Sequence, residues 1–531
     1  MRACQYGIAE RLQPFNCEDV LLPFSEQLLQ YLISELLQSP LGVEPSEERL
    51  RAYLSGQSSD LDDNPGSVDR VDAEDGDVSD PEADSEHRLS LSHSLRTHTV
   101  MIKGLIFPAA IEEGAHDYRR ILDKLNLIHF HECVFQGVEL ALESAACHFE
   151  NCVFQDDWNI TAAYNGEDWF SGLFDCCEFS GQVHLCGGEE FLPRPRGELY
   201  IFRDCTLSWL VANDVSLDGQ LFENTTQAGQ SLDLLELDNV RLARPIWLSG
   251  SCIATLRFVD CRFDETVALS MARIGKADIL RTTFNKSVDF VSATIGTLLM
   301  EHCICDAEIN IESAQLGAAA TDIASSNHNA VSFSFTTFHG LLNLRGTTLH
   351  APLDLQNSNR SQSPNFFRCK ISKAARQGTD RETFRMMRHS FEAIGNAVDS
   401  GRIYAMEMEA YRRELKQGGP WPERFLLWCN AWMSNHGQSY LRPIAFIFIG
   451  MVVFTLLRYG HQQQWLYLVY PPLNNMLALA SKWLNSVAAS LIIFRPLMIK
   501  GMEMLSLLFG LLFSVLVWQA AAAMRRHTRN K

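Results

Sequence analysis

The chain has 531 residues, 47% of them hydrophobic, which is enough for two or three domains with a sizeable core. Its formal net charge is −19. Between Asp60 and Glu86, twelve acidic residues stand against Arg70 alone, so this stretch supplies −11 of the −19 and leaves −8 for the remainder. That remaining balance is ordinary, and it disfavours nucleic-acid binding through a broad basic face.

The first 95 residues divide into two parts of different character. Residues 1–56 contain an apolar pattern with helical periodicity that ends near Pro40, which predicts an N-terminal helical region or cap. Residues 57–95 are rich in Ser, Asp, Gly and Glu and have almost no large apolar side chains. Such a segment cannot bury enough surface to offset its ordering entropy, so we predict an acidic disordered loop. A solvated spacer is favoured over a binding role for it.

Residues 96–380 contain short apolar alternations that repeat along the chain. An advance of 21 residues preserves residue type in six columns over four units, four columns being large and apolar and two being small. The columns are Leu237-Phe258-Ile279-Met300, Ile246-Val267-Val288-Ile309, Leu248-Leu269-Phe290-Ile311, Ile253-Ile274-Ile295-Leu316, Ser251-Ala272-Ala293-Ala314 and Ala254-Gly275-Gly296-Gly317. One fixed period with columns of constant type predicts a solenoid of short strands whose inward side chains stack between coils. The glycine column predicts corners with positive φ or a close backbone approach.

A looser motif extends this pattern in both directions. A large apolar residue is followed by a polar pair, a small residue and, two positions later, another large apolar residue, as in Phe149–Phe154, Phe174–Phe179 and Phe258–Phe263. The spacing stretches to 33 around residues 318–330, which predicts a loop leaving that coil. Inserts at 156–170 and 187–197 argue against a uniform square cross-section in the N-terminal half.

These units resemble the degenerate pentapeptide-repeat class, whose coils form a right-handed quadrilateral β-helix. The resemblance is to the architecture, because the strict pentapeptide consensus is absent. It implies a mainly β fold, namely a right-handed parallel β-helix solenoid with coils of about 21 residues, followed by a helical hairpin and two transmembrane helices.

Residues 381–440 switch to helical periodicity and form a predicted helical connector, with a hairpin turn at Gly395-Asn396. The segment from Phe384 through Tyr411 resembles one found in membrane-anchored pentapeptide-repeat proteins. In those proteins it joins the solenoid to a C-terminal, ion-channel-like pair of helices. The resemblance continues through Ser439–Pro443, where the first span of that group begins.

Residues 441–531 form a predicted membrane domain with spans near 441–458 and 503–524. Arginines precede the first apolar run and follow the second. The positive-inside rule therefore predicts that both termini are cytoplasmic. Met1–Leu12 contains no apolar run typical of a signal peptide. We therefore predict a multi-pass protein of the bacterial inner membrane with a cytoplasmic solenoid.

The segment 459–502 contains interfacial aromatics and the short apolar run Leu484–Phe494, which suits a re-entrant or interfacial helix. Lys482, Arg495 and Lys500 weaken the two-span topology, because they would lie outside. A third span would instead place the arginine-rich C-terminal tail outside, so two spans are preferred.

The sequence predicts no catalytic residue, no cofactor-binding residue and no metal site. It contains no phosphate loop, nucleophile elbow or paired zinc motif, and His302, His339 and His350 have no visible partner set. The 15 cysteines include the close pairs Cys176-Cys177 and Cys303-Cys305. Because several cysteines recur at one place in the repeat, we interpret them as small buried residues in a reducing compartment.

The function expected from these features is a membrane-tethered, non-enzymatic interaction or sensor protein whose β-helix binds an unknown cytoplasmic protein. The bilayer itself is the other expected partner, with homo-oligomerisation through the spans as a further option. The alternative is a partner-gated oligomeric pore or membrane effector formed by the C-terminal helices. A potassium-type filter is not supported, because 459–502 has no run of carbonyl-presenting glycines. An enzymatic reading would require turnover by the fragment 96–380.

Overall fold

A computed structural model gives the fold of the greater part of the chain. The described residues are 24–39, 46–55, 95, 98–108, 118–125, 127–137, 146–161, 172–186, 200–223, 231–318, 330–416, 418–462 and 503–528. The predicted acidic loop falls outside them except for Leu95, as do most of the segment 459–502 and the loop predicted near 318–330.

The chain divides into two compact units. The first comprises Met1–Ala351 with Asn357–Gln362 and Arg368–Lys370, and the second comprises Pro352–Gln356, Ser363–Phe367 and Ile371–Lys531. The first unit contains nearly all of the strands, and the second is mainly helical.

The strands are short, between two and eight residues long. Those up to residue 222 are β1 Thr99–Lys103, β2 Ile106–Phe107, β3 Leu127–His131, β4 Val134–Phe135, β5 Ala146–Glu150, β6 Val153–Phe154, β7 Trp158–Thr161, β8 Gly172–Asp175, β9 Glu178–Phe179, β10 Gln182–Cys186, β11 Tyr200–Arg203, β12 Trp209–Asn213, β13 Ser216–Leu217 and β14 Gln220–Phe222. The remainder are β15 Ser231–Asp238, β16 Arg241–Leu242, β17 Ile246–Trp247, β18 Cys252–Val259, β19 Arg262–Phe263, β20 Val267–Ala268, β21 Arg273–Leu280, β22 Thr283–Phe284, β23 Val288–Asp289, β24 Thr294–Glu301, β25 Ile304–Cys305, β26 Ile309–Asn310, β27 Gln315–Leu316, β28 Val331–Ser332, β29 Thr337–Phe338, β30 Leu342–Asn343, β31 Thr348–Leu349, β32 Leu353–Asp354, β33 Asn359–Arg360 and β34 Lys370–Ile371.

Within the described residues, the strands of the first unit pair in parallel with their equivalents one coil away. The first sheet has the order β1-β3-β5-β8-β11-β14, the second β2-β4-β6-β9 and the third β31-β27-β24-β21-β18-β15-β12-β10-β7. The fourth has the order β13-β16-β19-β22-β25-β29-β33 and the fifth β17-β20-β23-β26-β30. Every coil therefore satisfies its backbone against the coil before and after it, and the predicted parallel β-solenoid is confirmed.

The 21-residue columns are the register of these sheets. In the third sheet Leu237 pairs with Phe258, Phe258 with Ile279 and Ile279 with Met300. The column from Ile246 to Ile309 forms successive pairs of the fifth sheet in the same way. All of the large residues in the six columns are almost completely buried. Beyond residues 319–329, which are not described, pairs such as Ile309 with Leu342 advance by 33 residues, in agreement with the predicted stretch.

The glycine column agrees with the sequence expectation in part, since Gly317 has a positive φ of +77°. Gly275 and Gly296 lie inside the extended strands β21 and β24 and do not have positive φ. A Cβ on Gly296 would lie 2.5 Å from the carbonyl oxygen of Gly275, so this part of the column reflects close backbone approach. The left-handed corners are occupied mainly by non-glycine residues in two columns. One column contains Asn239, Asp260, Arg281 and His302, and the other contains Gly250, Met271, Ser292 and Ser313.

Phenylalanine ladders fill the N-terminal coils. Phe107, Phe135, Phe154 and Phe179 stack with centroids 4.5–5.0 Å apart along the second sheet. A second ladder runs through the first sheet, from Phe130 to Phe202. Coil lengths vary here, because Thr99 pairs with Leu127 but Leu127 pairs with Ala146. The non-uniform N-terminal half is therefore held together by aromatic stacking between coils.

Helices cover the first coil. The helices of this region are α1 Phe24–Gln38, α2 Glu47–Leu54 and α3 Tyr118–Leu122. The Phe24 ring contacts Phe107, the first member of the ladder, with centroids 5.3 Å apart, and contacts Tyr118 at 5.2 Å. The N-terminal helical region therefore covers the apolar end of the stack, as terminal caps of solenoids do.

The second unit contains the remaining helices. They are α4 Lys373–Gly378, α5 Arg381–Ala393, α6 Ala397–Lys416, α7 Trp421–Ser434, α8 Leu441–Gln462 and α9 Glu503–Thr528. The turn between α5 and α6 lies at Gly395, whose φ is +73°, as predicted. Phe384, Met387 and Phe391 are buried on α5, whereas Ile394, which fits the same apolar pattern, is exposed at the turn.

We expect Phe154→Ala to destabilise the N-terminal coils by about 3–5 kcal/mol, because it leaves a cavity in a stacked ladder. Trp158, whose ring lies 4.5 Å from that of Phe154, reports local unfolding by fluorescence in urea. The matched control is Gln155→Ala, one residue away and exposed. Equal midpoints for the two variants would contradict the ladder as a stabilising element.

Candidate functional site

The cysteines of the motif occupy a structural position at one corner of the coil. Each follows a residue with positive φ, as Cys261 follows Asp260 and Cys303 follows His302. The thiol donates to two backbone carbonyls, one on its own coil and one on the preceding coil. Cys261 Sγ lies 3.2 Å from the oxygens of Leu237 and Val259.

Threonine performs the same task in other coils. Thr336 Oγ1 donates to the carbonyls of Met300 at 3.0 Å and Ser334 at 3.3 Å. A small side chain with one hydrogen-bond donor, either a thiol or a hydroxyl, therefore satisfies the corner carbonyls. This explains why Cys and Thr recur in one column.

At Cys261 and Cys303 this geometry is unsuited to thiol chemistry. Burial raises the pKa of both the Cys261 and the Cys303 thiols to about 11, and burial also raises that of Cys305. Protonated, buried thiols are poor nucleophiles and poor metal ligands. Cys176 is exposed and Cys177 is buried, so these adjacent thiols do not face the same side, and Cys176 is an exception to the predicted burial. No cysteine within the described ranges forms a disulfide.

Two helices of the second unit are apolar along most of their length. Leu441–His461 and Glu503–Arg525 are long enough and hydrophobic enough to cross a membrane. Only 6% and 17% of their most apolar windows are buried within the protein. They contact each other through Phe454 and Phe509, whose rings are 5.1 Å apart. Much of their remaining apolar surface, including Val452 and Leu511, is exposed.

Helix α7 presents a stripe of aromatic residues. Trp421, Phe425, Trp428 and Trp432 are spaced four, three and four residues apart, so they lie on one helix face, and each is more than half exposed. Neighbouring rings along the stripe are 6.0–6.2 Å apart. The stripe continues onto α8, because the Trp432 ring lies 4.3 Å from that of Phe446.

A cationic cavity of about 620 Å³ lies between α4, α6, α7 and the start of α8. Its charged lining residues are Arg376, Arg402, Glu409, Arg412 and Arg442, accompanied by Trp428, Trp432 and His436. Four guanidinium groups therefore face one carboxylate. Burial of the Arg412 Nε leaves that atom without a hydrogen-bond partner in the described structure. Burial, and then the charge of Arg412, lowers the pKa of His436.

A row of polar side chains crosses the first sheet. Parallel pairing places His129 beside His148, and His131 beside Glu150. It places Glu150 beside Asp175, and Asp175 beside Arg203, in the next coils. Asp175 is buried, forms an ion pair with Arg203 and accepts a hydrogen bond from the Tyr200 hydroxyl at 2.9 Å. Burial, and then the neighbouring His148, lowers the pKa of His129.

The sequence interpretation identified the cysteine column but did not identify the histidine row. His129-Phe130-His131 and His148-Phe149-Glu150 stand 19 residues apart. They therefore do not align in columns with a 21-residue period. The shared Phe and the following Cys-Val-Phe provided a usable alignment. Of the histidines considered from sequence, His302 stacks on Phe335 with centroids 4.9 Å apart, and His339 Nε2 lies 4.0 Å from Asp306.

The buried thiols should resist alkylation in the folded protein. Below pH 9, where about 1% or less of a thiol with a pKa near 11 is thiolate, iodoacetamide should modify Cys176 and Cys186 but spare Cys261 and Cys303. Because the pKa is raised, any residual labelling of Cys261 should increase about tenfold per pH unit up to 11. Peptide mass spectrometry after timed labelling measures this, and unfolding in urea is the positive control. Rapid labelling of Cys261 in the folded protein at pH 7 would refute the structural role.

Comparison of the chain with protein-family models, with curated proteins and with solved structures gives no match.

Proposed function

We propose that this chain is a membrane-tethered, non-enzymatic interaction or sensor protein. In this proposal α8 and α9 anchor it in a bilayer, and the solenoid binds a protein partner in the cytoplasm of a bacterial cell. The observation that supports the anchor is the combination of length, hydropathy and exposure of the two helices. Exposed apolar surface on this scale is unfavourable in water and is stabilised by lipid.

The surroundings of the helices favour the same conclusion. Trp and Arg side chains are typical of the membrane–water interface, where an aromatic ring meets the headgroup region and a guanidinium meets phosphate. The stripe on α7 and the cavity bounded by Arg412 and Arg442 lie next to the first residues of α8. A cationic cavity at this position suits the phosphate of an anionic lipid headgroup.

The orientation follows from the basic residues at the helix ends. Arg442 stands in the first turn of α8, and Arg525 and Arg526 stand in the last turns of α9. Under the positive-inside rule these ends face the cytoplasm, and the solenoid, which precedes α8 in the chain, faces it as well.

The solenoid supplies the interaction surface in this proposal. Its outward side chains include the exposed residues Ile304 and Phe335, and Phe335 stacks on His302. Exposed apolar side chains grouped on adjacent coils are typical of a partner-binding surface.

An oligomeric pore is the second candidate function. It is favoured by the small contact between α8 and α9, at which Gly450 lies directly against Phe513, since exposed helix faces are satisfied by other copies as well as by lipid.

Arginine in the middle of each span should reduce membrane retention. Val452→Arg combined with Leu511→Arg opposes insertion by roughly 2.5–3.5 kcal/mol per arginine, so a smaller fraction of the chain should remain in the membrane pellet after an alkaline wash. The control replaces the same residues conservatively, Val452→Leu with Leu511→Ile, and should remain in the pellet. A wild-type chain that the wash releases completely would contradict the anchor.

Ion-flux measurements distinguish the anchor from the pore. Proteoliposomes containing the full chain should show no ion flux if the helices only anchor it. Flux that is lost on deleting residues 440–531 would support the pore instead.

The partner-binding role predicts position-specific crosslinks in cells. A photoreactive phenylalanine analogue placed at Ile304 or Phe335 should give a discrete higher-mass adduct with another protein. The same analogue at the exposed residue Gln155, on a distant coil, is the control and should give none. Absence of adducts from both test positions, or identical adducts from all three, would argue against this surface as the binding site.

A further inference from the structure

A cluster of imidazole and carboxylate groups lies on the outer face of the first sheet. Strand β3 supplies His129 and β5 supplies His148 and Glu150, while the alternate residues Phe130 and Phe149 point into the core. Because the two strands are in register, His129 and His148 are direct neighbours, and Glu150 lies two residues further along β5, on the same face. The backbone therefore fixes the placement of all three side chains before any ligand is bound.

The donor atoms converge. Glu150 Oε2 lies 3.0 Å from His129 Nε2, and the rings of His129 and His148 have centroids 4.8 Å apart. One ligand atom from each of the three residues lies within 4.8 Å of the others. Among the described residues, this is the group of three or more His, Cys, Asp or Glu side chains close enough to hold a metal ion.

We propose that His129, His148 and Glu150 form a binding site for a divalent transition-metal ion of the zinc class.

The donor set determines the class of metal. Two imidazole nitrogens with one carboxylate suit zinc, cobalt or nickel, whereas calcium and magnesium prefer oxygen ligands alone. A tetrahedral ion with bonds of about 2.1 Å holds its ligands about 3.4 Å apart, so the widest separation has to close by roughly 1.4 Å. Side-chain rotation at the site has to provide this movement, and Glu150 is the most exposed of the three residues at 38%.

Neighbouring residues support the site without competing for the ion. The Asp175 carboxylate lies 3.7 Å from His148 Nε2, but it is already engaged by Arg203 and Tyr200. At this distance it is an electrostatic neighbour of His148, in the position where a carboxylate behind a metal-bound histidine is found. His131 Nε2 lies 4.0 Å from Glu150 Oε2 but is not one of the three converging ligands, so the fourth ligand in this proposal is water.

An ordinary imidazole–carboxylate hydrogen bond accounts for the contact between His129 and Glu150. It does not account for a second imidazole on the next coil, stacked against the first and within reach of the same carboxylate. Nearby thiols do not contribute, because Cys133 and Cys152 donate to backbone carbonyls and Cys147 is buried.

Cobalt and zinc titrations of the detergent-solubilised full-length chain test the site. After treatment with a chelator, the protein should bind one Co²⁺ per chain with a visible d–d spectrum of four-coordinate cobalt and no thiolate charge-transfer band, and Zn²⁺ should displace it. Each of the ligand replacements His129→Ala, His148→Ala and Glu150→Gln should weaken Zn²⁺ binding by at least about 10- to 100-fold. Losses of this size are typical even for residues that only hydrogen-bond to a metal ligand. A chromophoric chelator in competition measures the affinity.

His184→Ala is the matched control, because His184 projects from an outward strand position of the same solenoid, away from the cluster. It should bind zinc as tightly as the wild type. Replacing the exposed thiols, as Cys176→Ser with Cys186→Ser, should also leave the affinity unchanged, and circular dichroism checks that each ligand variant is folded. Equal zinc affinity in the His129→Ala and His184→Ala variants, or a cobalt spectrum dominated by thiolate bands, would overturn the proposal.

Discussion

Parallel hydrogen bonding between successive coils is the constraint on which the solenoid depends. Once one strand of a coil is in register with the next, every residue of that coil has a fixed neighbour above and below it. An inward residue such as Ile274 must then pack against Ile253 and Ile295, and a residue of another size leaves a cavity or a clash. The same constraint brings Gly296 so close to the Gly275 carbonyl that a Cβ is excluded. Columns of constant residue type are therefore a direct consequence of backbone pairing.

This dependence explains which parts of the fold could be predicted from sequence. The columns between residues 237 and 317 predict both the 21-residue period and the parallel stacking of coils, because packing between coils is the main restriction on the residue type at an inward position. The hairpin turn at Gly395 and the two apolar helices were likewise predictable from periodicity and hydropathy. Corner conformations were not, since a left-handed corner needs only a residue that tolerates positive φ. Asp260, Arg281 and His302 share that role without sharing a chemical type.

The N-terminal coils were harder to predict for a related reason. Their lengths vary, so equivalent positions are not separated by one number, and a search at a single period misses them. Phenylalanine ladders replace the constant period there, since Phe130, Phe149 and Phe174 stay aligned although the spacing between them changes. Residues on the outer face of these coils have no packing rule at all. The cluster of His129 and His148 could therefore be recognised only after the register was known.

Outward positions of a solenoid are informative because packing does not determine them. At an inward position, a histidine would be selected or rejected by volume and burial, and its presence would say little about chemistry. At outward positions packing restricts the residue type less, so aligned titratable groups on adjacent coils are not explained by core packing, even where some of them, such as His148 and Asp175, are buried. Rows of acidic and basic residues occur elsewhere in the described chain, as at Glu236 and Arg257, but the row that begins where β3 and β5 meet combines imidazoles with carboxylates and an arginine. The rigid register that makes the core uniform also holds these outer groups at a fixed spacing, so the solenoid can preorganise a ligand set without any loop contributing to it.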